Sequence, residues 1–508
     1  MSKGYSTDLL HLIKSLNPVE KAYIKKFAFR SSPKGNHLYL DLFNDIDKQK
    51  VYDEKLILKN LKYAGQLPQL KKYLYSAICK ALDSYHAESS PRLQLIKMIS
   101  MIEILFERGL EAQCRKLLAN AKKTARVHEL YPYLIELLEW EKRIIISAEN
   151  VSEKNLDKIL KEQKEYIKAF NIRSDYAQLN TRMEIALRNS FSKRTTDSLV
   201  EHKRFLEHPL FKSKEIPLSW IGKSQFFEIK ASCYELTGDF LNSYLYRKES
   251  LLLFENSPEK KTQKLKLYLV ILNKYFGILI RLKKYQEIEK YITLFTSLRT
   301  PQLNSVKIRY GVFLSYCNVL NFYLRRGEFE KGIELIKEIE PNLIKYKGKI
   351  STEIELGLYI NIAIVYFAMG NFSKTLYWLN KILSDPTLSL RNEIICFARI
   401  LNLIAHFEHG NIDMLEYVVK STYRFLYKRG RLYKFETVVL NFIKNKLPTI
   451  FNNKELIVKF IELKGELDIL GKDYLEEEVS ESFDFISWVE SKIQNRPFRE
   501  VFREKVMS

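Results

Sequence analysis

The sequence predicts an all-α fold of helical hairpins stacked one after another. Three observations carry this expectation. First, the chain has 508 residues, more than the roughly 250–300 at which a single core stops growing. It is therefore several domains or one extended array. Second, its 17 glycines and 13 prolines fall below average usage of about 7% and 5%. Few turn residues mean few turns, and long elements in a soluble chain are helices. Third, one glycine-centred figure returns along the chain at a nearly constant step.

Residues 1–90 stand apart from that step and read as an N-terminal helical cap domain. Asn17-Pro18-Val19-Glu20 has the form of a helix start, with Asn as cap, Pro in the first turn and Glu three residues on. A helix over Pro18–Phe29 follows, then a loop at 31–36. Further helices are expected near His37–Asp47, Asp53–Leu61 and Pro68–His86. Such a cap would shield the apolar face of the first repeat. A helix-turn-helix DNA reader is the alternative, without a glycine-turn signature to support it.

Residues 91–455 carry the repeated figure. Around Gly370, apolar or small residues recur every three or four positions: Tyr359, Ile362, Ala363 and Tyr366 before it, Phe372, Thr375, Leu379 and Ile382 after it, then Pro386. That is two amphipathic helices joined at a tight turn, where glycine accepts left-handed backbone without strain. Copies lie at Tyr234–Gly238–Phe240 and Tyr323–Gly327–Phe329, with weaker ones at Leu403–Gly410 and Met98–Gly109. One copy lacks the glycine and turns near Lys283, between Phe276 and Tyr285. The turns at 238, 283, 327, 370 and 410 are 45, 44, 43 and 40 residues apart. The interval from 109 to 238 leaves room for two more, expected near Asn150 and Ser192.

This figure, an aromatic, a small residue, an aromatic, then Gly-polar-aromatic, resembles the tetratricopeptide repeat family over roughly residues 95–450. The resemblance implies a TPR-like right-handed α-α superhelix, with a first helix of each pair lining an inner groove. The step exceeds the family's 34 residues, so each helix should be about one turn longer. HEAT-type arrays have steps of about 40–47 residues and remain the structural competitor.

Residues 456–508 read as C-terminal capping helices. Glu476–Glu478 is acidic. Phe483, Ile486, Trp488, Val489 and Ile493 fall within one short helix, and Arg496, Arg499, Arg503 and Lys505 follow.

For function, the balance of 83 Lys+Arg against 61 Asp+Glu gives a formal charge of +22, a field that attracts polyanions and acidic proteins. Cys79, Cys114, Cys233, Cys317 and Cys396 are odd in number and lack metal-ligand spacing. Buried free thiols of a cytoplasmic protein are expected. Lys347-Gly348-Lys349 lacks the context of a phosphate loop. His406 and His409 share a helix face but suit packing better than metal binding. No catalytic residue, metal, cofactor, membrane span or small-molecule substrate is expected.

The resemblance implies groove residues Asn273, Lys274, Asn318, Asn321 and Asn361, whose amides could grip a peptide backbone. Further along, Ile364, Phe367, Ile400, Ile404 and Phe407 lie on helices that are apolar nearly all round, so something must cover them: the C-terminal helix or a partner segment. Lys420, Tyr423, Arg424, Tyr427, Lys428, Arg429 and Arg431 form a basic aromatic stripe, a candidate anion-binding surface. Lys260, Lys261, Lys264 and Lys266 read as an inter-helix linker. The expectation is a non-catalytic scaffold or adaptor for a protein or peptide. Nucleic-acid or ribonucleoprotein binding through the basic surface is the alternative.

Overall fold

Left-handed backbone appears where the sequence places its turns. Gly109, Gly238, Gly327, Gly370 and Gly410 all have φ between 67° and 79°, and Lys283, the turn without glycine, has φ 54°. The structure, a computed structural model, describes residues 3–30, 38–59, 63, 65–147, 153–190, 204–212, 219–302, 306–384, 392–430, 432–447, 452–470 and 483–507. Among these the chain is all-helical, with no β-strand. No helix among the described residues is long and apolar enough to cross a membrane. The chain divides into two compact units, Met1–Arg173 and Ser174–Ser508.

The first unit begins with α1 (Lys3–Ser15), α2 (Pro18–Arg30), α3 (Leu38–Lys48), α4 (Glu54–Leu58) and α5 (Leu67–His86). Helix α1 is an addition to the sequence expectation. The start of α2 is a reciprocal capping box: Glu20 N–H donates to Asn17 Oδ1 at 2.9 Å, and Asn17 N–H donates to Glu20 Oε2 at 2.8 Å. Leu9, Ile13, Leu42, Phe43, Ile46, Leu74 and Ile78 close one apolar cluster. Next come α6 (Pro91–Glu107), α7 (Glu111–Val127) and α8 (Tyr131–Ile146), joined at Gly109 and at Glu129 (φ 51°), with their own cluster around Ile102, Cys114, Leu134 and Leu137.

Helix α9 (Glu153–Ser190) runs for 38 residues. The repeat step implies two helices here. The sequence from 153 to 190 contains neither Gly nor Pro, so nothing interrupts the hydrogen-bond ladder. The turns expected near Asn150 and Ser192 lie outside the described residues, as do Pro386 and Glu476–Glu478.

After α10 (Pro209–Lys212), the second unit is built from hairpins: α11 (Trp220–Leu236) with α12 (Phe240–Glu255), then α14 (Leu265–Arg281) with α15 (Tyr285–Gln302), α16 (Val306–Arg325) with α17 (Phe329–Lys345), α18 (Thr352–Ala368) with α19 (Phe372–Leu383), and α20 (Asn392–Glu408) with α21 (Ile412–Lys428). Of the lysines expected as an inter-helix linker, Lys260 and Lys261 lie in a short helix between α12 and α14, α13 (Pro258–Gln263), Lys264 at its C-cap and Lys266 within α14; Lys261 sits over the Tyr268 ring. The first helices α14, α16, α18 and α20 pack on one another in order, each also against its own partner. One apolar core runs continuously from Tyr244 to Val489. In α18 every residue from Ile362 to Ala368 is buried, as its unbroken apolar sequence requires.

A buried polar group supports the first hairpin. Arg247 of α12 reaches Glu228 at 3.1 Å, pairs with Glu235 and donates to Ser232 Oγ at 3.4 Å. Burial alone would raise the Glu235 carboxyl, but Arg247 holds it below its ordinary value.

The chain ends with α22 (Lys434–Asn441), a π-turn at Phe442–Lys446, α23 (Asn453–Leu470), α24 (Phe485–Ile493) and α25 (Phe498–Met507). Helices α23, α24 and α25 pack in sequence.

Candidate interaction surfaces

Of the asparagines expected in the groove, Asn318 and Asn361 share a repeat position on α16 and α18 and Asn273 lies one position earlier on α14; the structure brings these three together. Asn273 donates to Leu269 O at 2.8 Å and to Gly311 O at 3.0 Å. Asn318 donates to Asn273 Oδ1 at 2.9 Å and to its carbonyl at 3.0 Å. Asn361 donates to Cys317 O at 3.3 Å. Asn273 is 1% exposed. Its expected peptide-gripping role is therefore corrected: the amide is spent on the neighbouring helix, where a buried side-chain amide needs partners. Asn318, Asn321 and Asn361 are half-buried, and Lys274 pairs with Glu228 at 3.5 Å.

The apolar set is covered by the chain itself. Ile364, Phe367, Ile400 and Ile404 are buried. The Phe367 ring meets Phe483 edge-on at 5.2 Å and Phe498 at 5.7 Å. Phe407 meets Phe460 and Trp488. Trp488 is fixed by its indole N–H, which donates to Glu408 Oε1 at 2.7 Å, and Lys492 pairs with the other oxygen at 2.5 Å. Farther back, Arg503 Nε donates to Gly327 O at 2.8 Å and its guanidinium pairs with Glu330. A Cβ on Gly327 would stand 2.9 Å from Arg503 Cγ. The C-terminal helices thus lie against the turn ends of three successive hairpins, at Gly327, beside Gly370 and just before Gly410. Between α25 and the Gly327 turn is a depression lined by Tyr285, Arg326, Lys331 and Met507.

The basic aromatic stripe is on the solvent side of α21. Tyr423 and Tyr427 stack at 6.0 Å with rings 10° apart. Lys420 is held by Glu416 at 2.5 Å. Arg424 and Lys428 are exposed and form no ion pair among the described residues. Arg429 lies over the Phe425 ring at 3.8 Å. Arg431 lies outside the described residues. The same helix exposes Met414 and Tyr417, the latter by 71%.

Arg399, from α20, was not singled out by the sequence. Its guanidinium lies over Phe425 at 4.0 Å and reaches Ser421 Oγ at 3.5 Å. Burial, with the nearby charge of Arg429, holds it below its ordinary pKa. Nothing in the local sequence signals this, because Arg399 reads as one more helix-face charge.

Burial pushes the Cys233 and Cys317 thiols up to about 12, which makes them poor nucleophiles. Cys79 is exposed, against the expectation of buried thiols throughout. Burial lowers the His406 pKa, and its Nδ1 meets the Asn411 amide at 3.0 Å. Among the described residues no group of three His, Cys, Asp or Glu is arranged to hold a metal ion. No protein-family model matches the chain, and no curated protein matches it either.

Proposed function

We propose that this chain is a non-catalytic cytoplasmic interaction scaffold. Its successive hairpins form a right-handed, TPR-like α-α superhelix, and the surface it offers is the outer side of α21. The observation that carries this reading is the exposure of Met414, Tyr417, Tyr423 and Tyr427 on one helix beside Arg424. Tyr, Met and Arg are the residue types enriched at protein interfaces, and leaving four large side chains in water on one helix favours a partner. The asparagine positions support the stacking of the array, and the C-terminal helices occupy the apolar turn ends. Neither surface competes with α21 as the binding face.

The second reading is nucleic-acid binding, favoured by the net charge of +22 and by Arg424 and Lys428, which form no ion pair among the described residues. Affinity purification of the tagged full chain from its native cell separates the two. A protein that co-purifies after nuclease treatment, and is lost with Tyr417→Ala/Tyr427→Ala, supports the scaffold. Loss of every partner on nuclease treatment reverses the order.

A further inference from the structure

We propose that the outer face of α23 docks, antiparallel and about a two-fold axis, on the same face of a second copy of this chain. This goes beyond the scaffold reading and does not depend on α21. Helix α23 is apolar on two sides. Phe460, Leu463 and Leu467 are buried in the core, while Val458 and Ile461 are each 53% exposed and Ile469 is 71% exposed. Lys454, Val458, Ile461, Gly465 and Asp468 are all exposed and follow one another at spacings of 4, 3, 4 and 3 residues. That alternation is the seam of a two-helix coiled coil, which keeps one stripe facing a partner. Gly465 interrupts the seam, and its φ is not positive. Nothing among the described residues stands within 4 Å of a Cβ there, yet a mid-helix glycine costs about 1 kcal/mol relative to alanine. Bare backbone within an exposed apolar seam admits the close approach of another helix.

The charges decide the occupant. Lys454 and Asp468 lie seven residues on either side of Ile461. A two-fold axis at Ile461 therefore sets Lys454 opposite Asp468 of the second copy, and the reverse. Val458 then falls over Gly465 of that copy. Lys454 is in the first turn of α23 and Asp468 in the last, each the sign that the helix dipole disfavours. Neither forms an ion pair among the described residues, and the charges around them are taken: Lys464 by Glu490 at 2.6 Å, Glu462 by Lys459 at 2.8 Å and by Lys446 at 3.6 Å. A parallel pairing would bring like charges together. One helix face on another falls short of the roughly 1,000 Å² of a stable complex, so the dimer is weak and concentration-dependent.

The test is sedimentation velocity of the full chain from about 2 to 200 µM, a range that covers weak affinities. The charge of +22 repels between copies, so the buffer holds about 0.15 M salt, which screens charge beyond about 8 Å. Wild type should shift from monomer toward dimer. Gly465→Gln should abolish that shift and keep or raise the melting temperature, since it replaces a helix-weakening residue; damage to the fold would lower both. Lys454→Glu and Asp468→Lys should each weaken association about fivefold, because each change acts twice across the axis. Lys454→Glu/Asp468→Lys should return to within twofold of wild type, and the helix dipole favours both new signs. A wild type that stays monomeric, a Gly465→Gln chain that associates like wild type, or a double swap no better than either single change overturns the proposal. So does association that ignores every α23 change and is lost with Tyr417→Ala/Tyr427→Ala, which assigns self-contact to α21. The scaffold reading stands or falls on the co-purified partner instead, so the two fail separately.

Discussion

At Lys283 the chain keeps a lysine in left-handed backbone, φ 54°, where the turns at 238, 327, 370 and 410 use glycine. A side chain in that conformation costs about 1–2 kcal/mol, so Lys283→Gly should raise the melting temperature despite the entropy glycine adds to the unfolded chain. Gly370→Ala should lower it. Space is not the reason, since nothing stands within 4 Å of a Cβ there; the cost is backbone strain alone. Thermal melts of the two variants check both directions. Asn273 offers a second residue-scale expectation. Alanine there removes donors to Leu269 O and Gly311 O and the acceptor for Asn318, and stranding such buried groups costs about 1–3 kcal/mol. Asn321→Ala should stay within about 0.5 kcal/mol, as a substitution away from such features does. Urea titration separates the two. The recurrence of these asparagines is legible in the sequence, but whether an amide faces a ligand or the next helix depends on how closely neighbouring hairpins cross. That is a tertiary quantity, and no spacing rule contains it.

Among the elements, α24 tests how firmly the C-terminal helices are held. Trp488 is fully buried against Phe407 and Phe460 and bonded to Glu408. Trp488→Ala leaves a cavity and removes one of the two partners of the Glu408 carboxylate, which keeps Lys492, so a loss of about 3–5 kcal/mol is expected, measured by urea unfolding. The α11–α12 hairpin makes a pH-dependent contribution through Arg247. Glu235 is held below its ordinary pKa, so its contribution is full above the unfolded value of about 4.3 and fades as the pH falls through the lower folded value. Arg247→Met should cost about 3–5 kcal/mol at neutral pH, as breaking a buried pair does, and should flatten the loss of stability in acid. The helices themselves were readable because apolar period and glycine position report local physics. Even the turn at Lys283 emerged from register. Helix α9 shows the limit: the absence of Gly and Pro from 153 to 190 is the local signal for an uninterrupted helix, and extending the repeat step across it obscures that signal. That something must cover Phe367 is legible, and the C-terminal helix is one of the two covers the sequence offers; the contacts that seat it are not, since pairs such as Arg503 and Gly327 join residues 176 apart.

For the whole molecule the deciding quantity is how the charge of +22 is used. A cation of this size attracts any polyanion, and the attraction falls steeply with salt because binding releases condensed counterions. Weak association with a random single-stranded oligonucleotide is therefore expected of the full chain whatever its partner, and it reports total charge rather than a site. If α21 is a protein-binding face, Tyr417→Ala/Tyr427→Ala should leave oligonucleotide affinity within twofold, because no charge is removed. Its salt dependence should also be unchanged, while the co-purified protein is lost. If the tyrosines instead stack on bases, each removed ring should cost about 1–3 kcal/mol of oligonucleotide affinity, at least a thirtyfold loss for the pair, with an unchanged salt slope. Both measurements use the same variant and the same full chain. A large loss toward the oligonucleotide assigns the exposed aromatics to nucleic acid. A loss confined to the protein partner assigns them to the scaffold, because removing the rings leaves the summed charge unchanged and so affects only a contact that depends on ring surface.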